Sequence, residues 1–145
     1  MKFIDSASNR SFWRGYDYYE SNMVKTVQIV DEKTIKGTVK GLQAKEYEVE
    51  INLDKPRSST CTCPFSKEHT RSICKHMVAV YFAAYPKEAK RIIDEIEEEE
   101  QQEKDALMKT IVTYVNSLSE EQVRKELTER MFREQYEEDD DYFWR

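Results

Sequence analysis

Two short pairs of residues constrain this chain more than anything else in it: Cys61-Thr62-Cys63 and Cys74-Lys75-His76, with ten residues between them. Each pair offers two soft or borderline donors one residue apart. Three sulfurs and one imidazole make up the ligand set that a tetrahedral Zn2+ takes. The three cysteines are odd in number and all lie between positions 61 and 74, a poor basis for a disulfide framework. In a reducing compartment such clustering points to metal. Four protein donors leave no open position for water, so the expected ion is structural, and hydrolysis at it is not expected. His69, inside the ten-residue loop, is the one rival for the fourth place. Its other reading is an exposed loop histidine, because a ligand in mid-loop breaks the paired spacing.

The flanking sequence says how those pairs are held. Phe12, Tyr16, Tyr19 and Met23 recur at spacings of four, three and four, which places them on one face of a helix over residues 8–23. Ser8 or Asn9 caps its start, and Asn22 suits the left-handed residue that ends a helix. Residues 24–30 and 34–39 read as strands around the polar turn Asp31-Glu32-Lys33. Tyr47, Val49, Ile51 and Leu53 alternate with Glu46, Glu48, Glu50 and Asn52, the mark of a strand with one buried and one wet face. After the turn at Lys55-Pro56-Arg57, residues 58–62 should pair back and carry Cys61 and Cys63 out on one face. From Lys75 an apolar helix begins, with Pro86 closing or kinking its far end. Its N-terminus would favour the thiolate form of Cys74.

Charge divides the chain. Of the net −6, residues 1–92 hold 16 Lys and Arg against 11 Asp and Glu, whereas residues 93–145 hold 7 against 18. The basic part contains the cysteines. In the acidic part, residues 97–102 carry nothing apolar and read as a solvated helix or linker. Leu107, Ile111, Tyr114, Val115 and Leu118 then restore an amphipathic helix. Ser119 with Gln122 forms a capping-box signal for another, bearing Val123, Leu127 and Met131, so that the two would make a helical hairpin. The final Tyr142, Phe143 and Trp144 have no visible partner, and either dock back or precede further chain. No run approaches the roughly 20 apolar residues of a membrane span. The N-terminus has no signal-peptide pattern, which makes the cytoplasm the expected compartment.

The run Cys61-Thr62-Cys63-Pro64, a loop, then Cys74-Lys75-His76-Met77 resembles the SWIM-type zinc finger, whose pattern is CxC, a variable loop, and CxH. Upstream, the segment from Phe12 to Val24 is similar to an RG..YY..G.V stretch preceding the finger in bacterial members, with Asn22 where glycine is usual. The resemblance implies an α+β fold. Its parts would be an N-terminal helix, a small antiparallel sheet of about four strands and a zinc-bound ββα finger within residues 1–90; residues 91–145, which the resemblance does not cover, read from their own pattern as an acidic helical extension. It also implies an interaction module for nucleic acid or protein. Such a finger often stands ahead of a remodelling-type ATPase, and this sequence has no GxxxxGK[ST] phosphate loop of its own.

Lys55, Arg57, Lys67, Arg71 and Lys75 surround the ligand pairs in sequence, and meet a phosphate backbone or are ordinary solvated surface. Three thiolates and one Zn2+ sum to about −1, so the metal itself adds no positive field. Phe12, Trp13, Tyr16, Tyr18 and Tyr19 either stack on bases or, at their helical spacing, form core. With two histidines, one of them on the metal, a Ser-His-Asp catalytic set has no material. The expected function is therefore a zinc-stabilised nucleic-acid-binding module, DNA first, with no small-molecule substrate and no membrane. A protein-interaction module, as the front part of a helicase-like ATPase or on its own, is the alternative.

Overall fold

A computed structural model describes residues 2–143, with side chains through Glu137. The terminal aromatics therefore lie outside the described side chains. The chain divides into two compact units at Ile93 and Asp94.

In the first unit a short 3-10 helix, Phe3–Ser6, with Phe3 and Ile4 buried, precedes helix α1, Asn9–Glu20. Ser8 is its cap: the hydroxyl accepts from the Ser11 amide at 3.1 Å. At its other end Asn22 has a φ of 54°. The amides of Asn22 and Met23 reach back to the carbonyls of Tyr19 and Tyr18, closing the helix in a Schellman motif as the sequence led us to expect. Strands β1 (Val24–Ile29), β2 (Thr34–Lys40), β3 (Glu46–Asn52) and β4 (Thr60–Cys61) form one antiparallel sheet in that order. Asp31 organises the first hairpin by accepting from the amides of Lys33 and Thr34. In β3 the alternation is realised: Val49 and Ile51 are buried, Tyr47 is half-buried and Glu46, Glu48 and Glu50 are exposed. The returning strand is only two residues long. Beyond it Thr62 still ties to β3, its amide donating to the Glu48 carbonyl.

After the short helix α2 (Pro64–Glu68) comes α3 (Lys75–Ala84), which has no wet face over residues 76–82. One side of α3 lies against β1, β2 and β3, and another lies against α1. Phe82, fully buried, receives the edges or faces of Phe12, Tyr16 and Tyr19. The aromatic stripe of α1 is thus core. Gly15 sets how closely α1 and α3 cross: a Cβ there would sit 2.4 Å from Val78 Cβ and 2.8 Å from the Lys75 carbonyl oxygen.

Pro86 does not kink α3. The backbone breaks at Tyr85, and Pro86 opens a new helix, α4 (Pro86–Ser117), at a first-turn position that needs no amide donor. Ala89 and Ile93 of α4 are buried. Residues 97–102 are helical, so the acidic run is a solvated helix. In the second unit α4 gives way to α5 (Glu120–Phe143), and the capping box forms with both of its hydrogen bonds, Ser119 N to Gln122 Oε1 and Gln122 N to Ser119 Oγ. The expected hairpin packing is not realised. Leu107, Ile111, Tyr114, Leu127 and Met131 all stay more than 45% exposed, and α4 and α5 make few contacts. Two sparse apolar stripes on an acidic pair of helices bury too little to overcome repulsion between like charges.

The α1–α3 crossing gives a test with a sign. In an open helix, replacing glycine by alanine is favourable by about 1 kcal/mol. Gly15→Ala should instead destabilise by about 1–3 kcal/mol through overpacking, read as a lower midpoint in thermal unfolding. An unchanged or raised midpoint would show that the crossing tolerates a side chain.

Candidate metal centre

Cys61 ends β4 and Cys63 caps α2, where its Sγ accepts from the Ser66 amide at 3.4 Å. Cys74 caps α3, and His76 is the second residue of that helix. These elements meet because β3 and α3 share the core around Val49, Ile51 and Met77. The donor atoms of Cys61, Cys63, Cys74 and His76 consequently all lie within 4.8 Å of one another, and all four residues are buried.

The donor geometry fits one ion. His76 Nδ1 faces the sulfurs, 3.8 Å from Cys61 Sγ and 3.9 Å from Cys74 Sγ. Donors on a common tetrahedral Zn2+, with bonds of about 2.0–2.1 Å to nitrogen and 2.3 Å to sulfur, stand roughly 3.6 Å apart. His76 is 4% exposed, and its Nε2 has no hydrogen-bond partner among the described residues. The other ring nitrogen, Nδ1, meets only sulfur, a weak hydrogen-bond partner, and that is the atom at which a cation would be held.

The protonation of the sulfurs points the same way. Hydrogen bonds from Cys61 and Cys74 hold the Cys63 thiol far below its usual range. The hydrogen bond with Cys63, helped by Cys74 and by burial, pushes Cys61 far up. At Cys74 the hydrogen bond with Cys61 lowers the pKa, but the one with Cys63 and burial outweigh it, and the group is pushed up to about 11. Crowding the three sulfurs together and burying them thus opposes full ionisation of the cluster, an opposition that a cation among them would relieve.

The SWIM zinc finger family matches residues 47–85. That span runs from β3 to the residue after α3, so it contains the four ligands, while α1, β1, β2 and the acidic helices lie outside it. No curated protein and no solved structure shows significant similarity to the chain. Within the matched segment Cys61, Cys63, Cys74 and His76 are positioned to hold a metal ion, and Zn2+ fits the donor set. When bound, the ion ties the end of the β3–β4 hairpin to the first turn of α3. His69 is not part of this centre: it is exposed, caps α2, and stacks on Phe65 with ring centroids 4.6 Å apart.

The five basic residues singled out by sequence lie on three different parts of the first unit. Lys55 and Arg57 sit in the turn between β3 and β4, near the Asn52–Ser59 bond and at the opposite end of that pair from Cys63. Lys67 and Arg71 are exposed on the segment joining the two ligand pairs. Only Lys75 lines the cleft beside the metal, its ammonium 4.5 Å above the Tyr18 ring. Two cations that sequence reading missed join it there. Arg10 and Arg14, one turn apart on α1, line the same cleft and form no ion pair among the described residues. Their spacing of four from each other and from Tyr18 was the available signal.

Native mass spectrometry should find one Zn2+ per chain. Cys61→Ser or Cys74→Ser should lose the ion and the cooperative thermal transition, since structural zinc contributes about 10–16 kcal/mol in isolated fingers. A mutant that keeps its melting temperature in chelator would show that the ion does not hold this region. Because the neighbouring sulfurs and burial push the Cys61 and Cys74 thiols up and metal takes thiolates, metal uptake should release protons. Apparent affinity should thus fall as pH falls, and calorimetry in buffers of different ionisation enthalpy measures the release. A proton count of zero would mean the thiols do not become ligands.

Proposed function

We propose that the chain is a zinc-organised module that binds nucleic acid through phosphate contacts, and that it is a binding protein without catalytic activity. One observation carries the reading: positive charge is concentrated in the unit that holds the metal centre. Residues 1–93 have 16 Lys and Arg against 11 Asp and Glu, in a chain that is acidic overall. Beside the centre itself, Arg10, Arg14 and Lys75 outweigh the charge of about −1 that three thiolates and Zn2+ would leave. Phosphate contacts of this kind supply affinity without sequence preference. Four protein donors close the coordination shell, which supports a structural ion. A reducing compartment such as the cytoplasm suits three thiolates kept for metal. Among the described residues no helix is long and apolar enough to cross a membrane.

A second reading rests on the other unit. Leu107, Met108, Leu127, Met131 and Phe132 of α4 and α5 are at least 56% exposed, and large exposed apolar side chains in number mark contact surfaces for protein. A place ahead of a remodelling ATPase belongs to this reading. The two functions can coexist, one in each unit.

Zinc-loaded full-length chain should bind a labelled DNA or RNA at low salt, and log K should fall linearly with log salt. Chelation should abolish the binding along with the fold. No binding at low salt would end the nucleic-acid reading, while a partner recovered insensitively to nuclease would favour the protein one.

A further inference from the structure

Beside the metal centre lies a cleft of about 390 Å³, within the usual size range of ligand sites. One wall is the Arg10–Arg14–Tyr18 stripe of α1. Leu42, Tyr47 of β3 and Phe65 of α2 line the cleft too, and so do Cys63, Cys74 and His76 of the metal centre. Among the described residues no Asp or Glu lines it. Arg10 and Arg14 are exposed cations without ion pairs among the described residues, and Lys75 rests on an aromatic face. Three aromatic rings line the cleft: Tyr18 and Tyr47 lie against the His76 imidazole at centroid distances of 5.3 and 4.8 Å, and Phe65 is 45% exposed. His76 Nε2 is a buried polar atom with no partner among the described residues.

Resting on the nucleic-acid reading above, we infer that this cleft receives a single-stranded segment, with unpaired bases against its aromatic rings and phosphates on Arg10 and Arg14. The shape argues for a single strand. A duplex presents its phosphates on a convex outer surface with the bases stacked inside, and its base faces cannot reach rings at the edge of a concave site. A single strand offers both at once: a flexible anionic backbone and exposed π-faces, which aromatic side chains accept whatever the sequence. Charge complementarity selects the class. The cleft has three cationic side chains and no carboxylate, so it repels cationic ligands and gains from phosphate. Sugar type is left to experiment, since deoxyribose and ribose strands share this chemistry.

The test uses zinc-loaded full-length protein and fluorescein-labelled 12-mers of oligo-dT and oligo-rU, a 12-base-pair DNA duplex, and poly-glutamate as competitor, read by anisotropy. Single strands should bind at least tenfold tighter than the duplex. Phe65→Ala should weaken single-strand binding about 5- to 150-fold, the range for loss of one stacked base. The double change Arg10→Ala/Arg14→Ala should weaken it too, and lower the slope of log K against log salt by about 1.4, the value for two lost phosphate contacts on a single strand. Zinc content and melting temperature must match the parent chain for each variant. Lys55→Ala/Arg57→Ala, at the far end of the hairpin, should change affinity less than twofold. Equal binding of duplex and single strand would overturn the inference and leave the nucleic-acid reading standing, as would a loss confined to the Lys55/Arg57 variant. Poly-glutamate competing as well as oligonucleotide would overturn it in favour of an acidic peptide ligand. Failure of every nucleic acid to bind would overturn both.

Discussion

Helix α3 has to satisfy two demands within ten residues. Its first turn supplies His76, with Cys74 at the cap, to the metal centre. The next residues, Met77 to Phe82, fill the space between the sheet and α1. The two demands support one another. Burial of Met77, Val78 and Phe82 fixes the helix axis and so places the first-turn donors. The ion, in turn, anchors the end of the helix that would otherwise fray. Because the same residues serve core and site, losing the metal is expected to be felt by the whole first unit, with no confined local opening.

Cys61 and Cys63 arrive from the opposite direction, on a strand too short to be stable alone. β4 contributes two residues to the sheet, and Thr62 and Ser59 add side-chain ties to Glu48 and Asn52. Two residues of pairing cannot hold the end of a hairpin without a further anchor. The ion therefore stands in for the ladder hydrogen bonds that a longer strand would have made, and coordination secures the hairpin end where most sheets use pairing.

Local patterns in the sequence were legible because they are realised locally. The alternation in residues 46–53, the cap at Ser8, the left-handed Asn22 and the Ser119–Gln122 box each involve neighbours within four positions. The ligand pairs were legible for the same reason, as each pair spans three residues. Pro86 was ambiguous, since proline both ends one helix and starts the next well. The surface around the metal was not legible. Lys55 and Arg57 are close to Cys61 in sequence, but the hairpin turns the chain around and carries them away. Arg10 and Arg14 are some fifty residues from the nearest ligand in sequence and come beside it only through the tight α1–α3 crossing at Gly15. The packing of α4 and α5 could not be had from periodicity, because a stripe shows where a helix could bury a face, not whether anything is there to cover it.

The segment joining the two ligand pairs begins and ends on the same ion and holds the brief α2, one turn at His69–Ser72 and the buried Ile73, which bridges to Ala7. Its ends are fixed by coordination whatever lies between them, and doubling such a loop adds only about 0.6 kcal/mol of closure entropy. This stretch is thus the part of the finger most open to evolutionary change: it can lengthen, shorten or exchange its surface chemistry while the four donors stay where they are. Phe65 and His69 are carried on that stretch, so what Phe65 offers the cleft can change without disturbing the fold, whereas Tyr47 and Tyr18 are built into the frame.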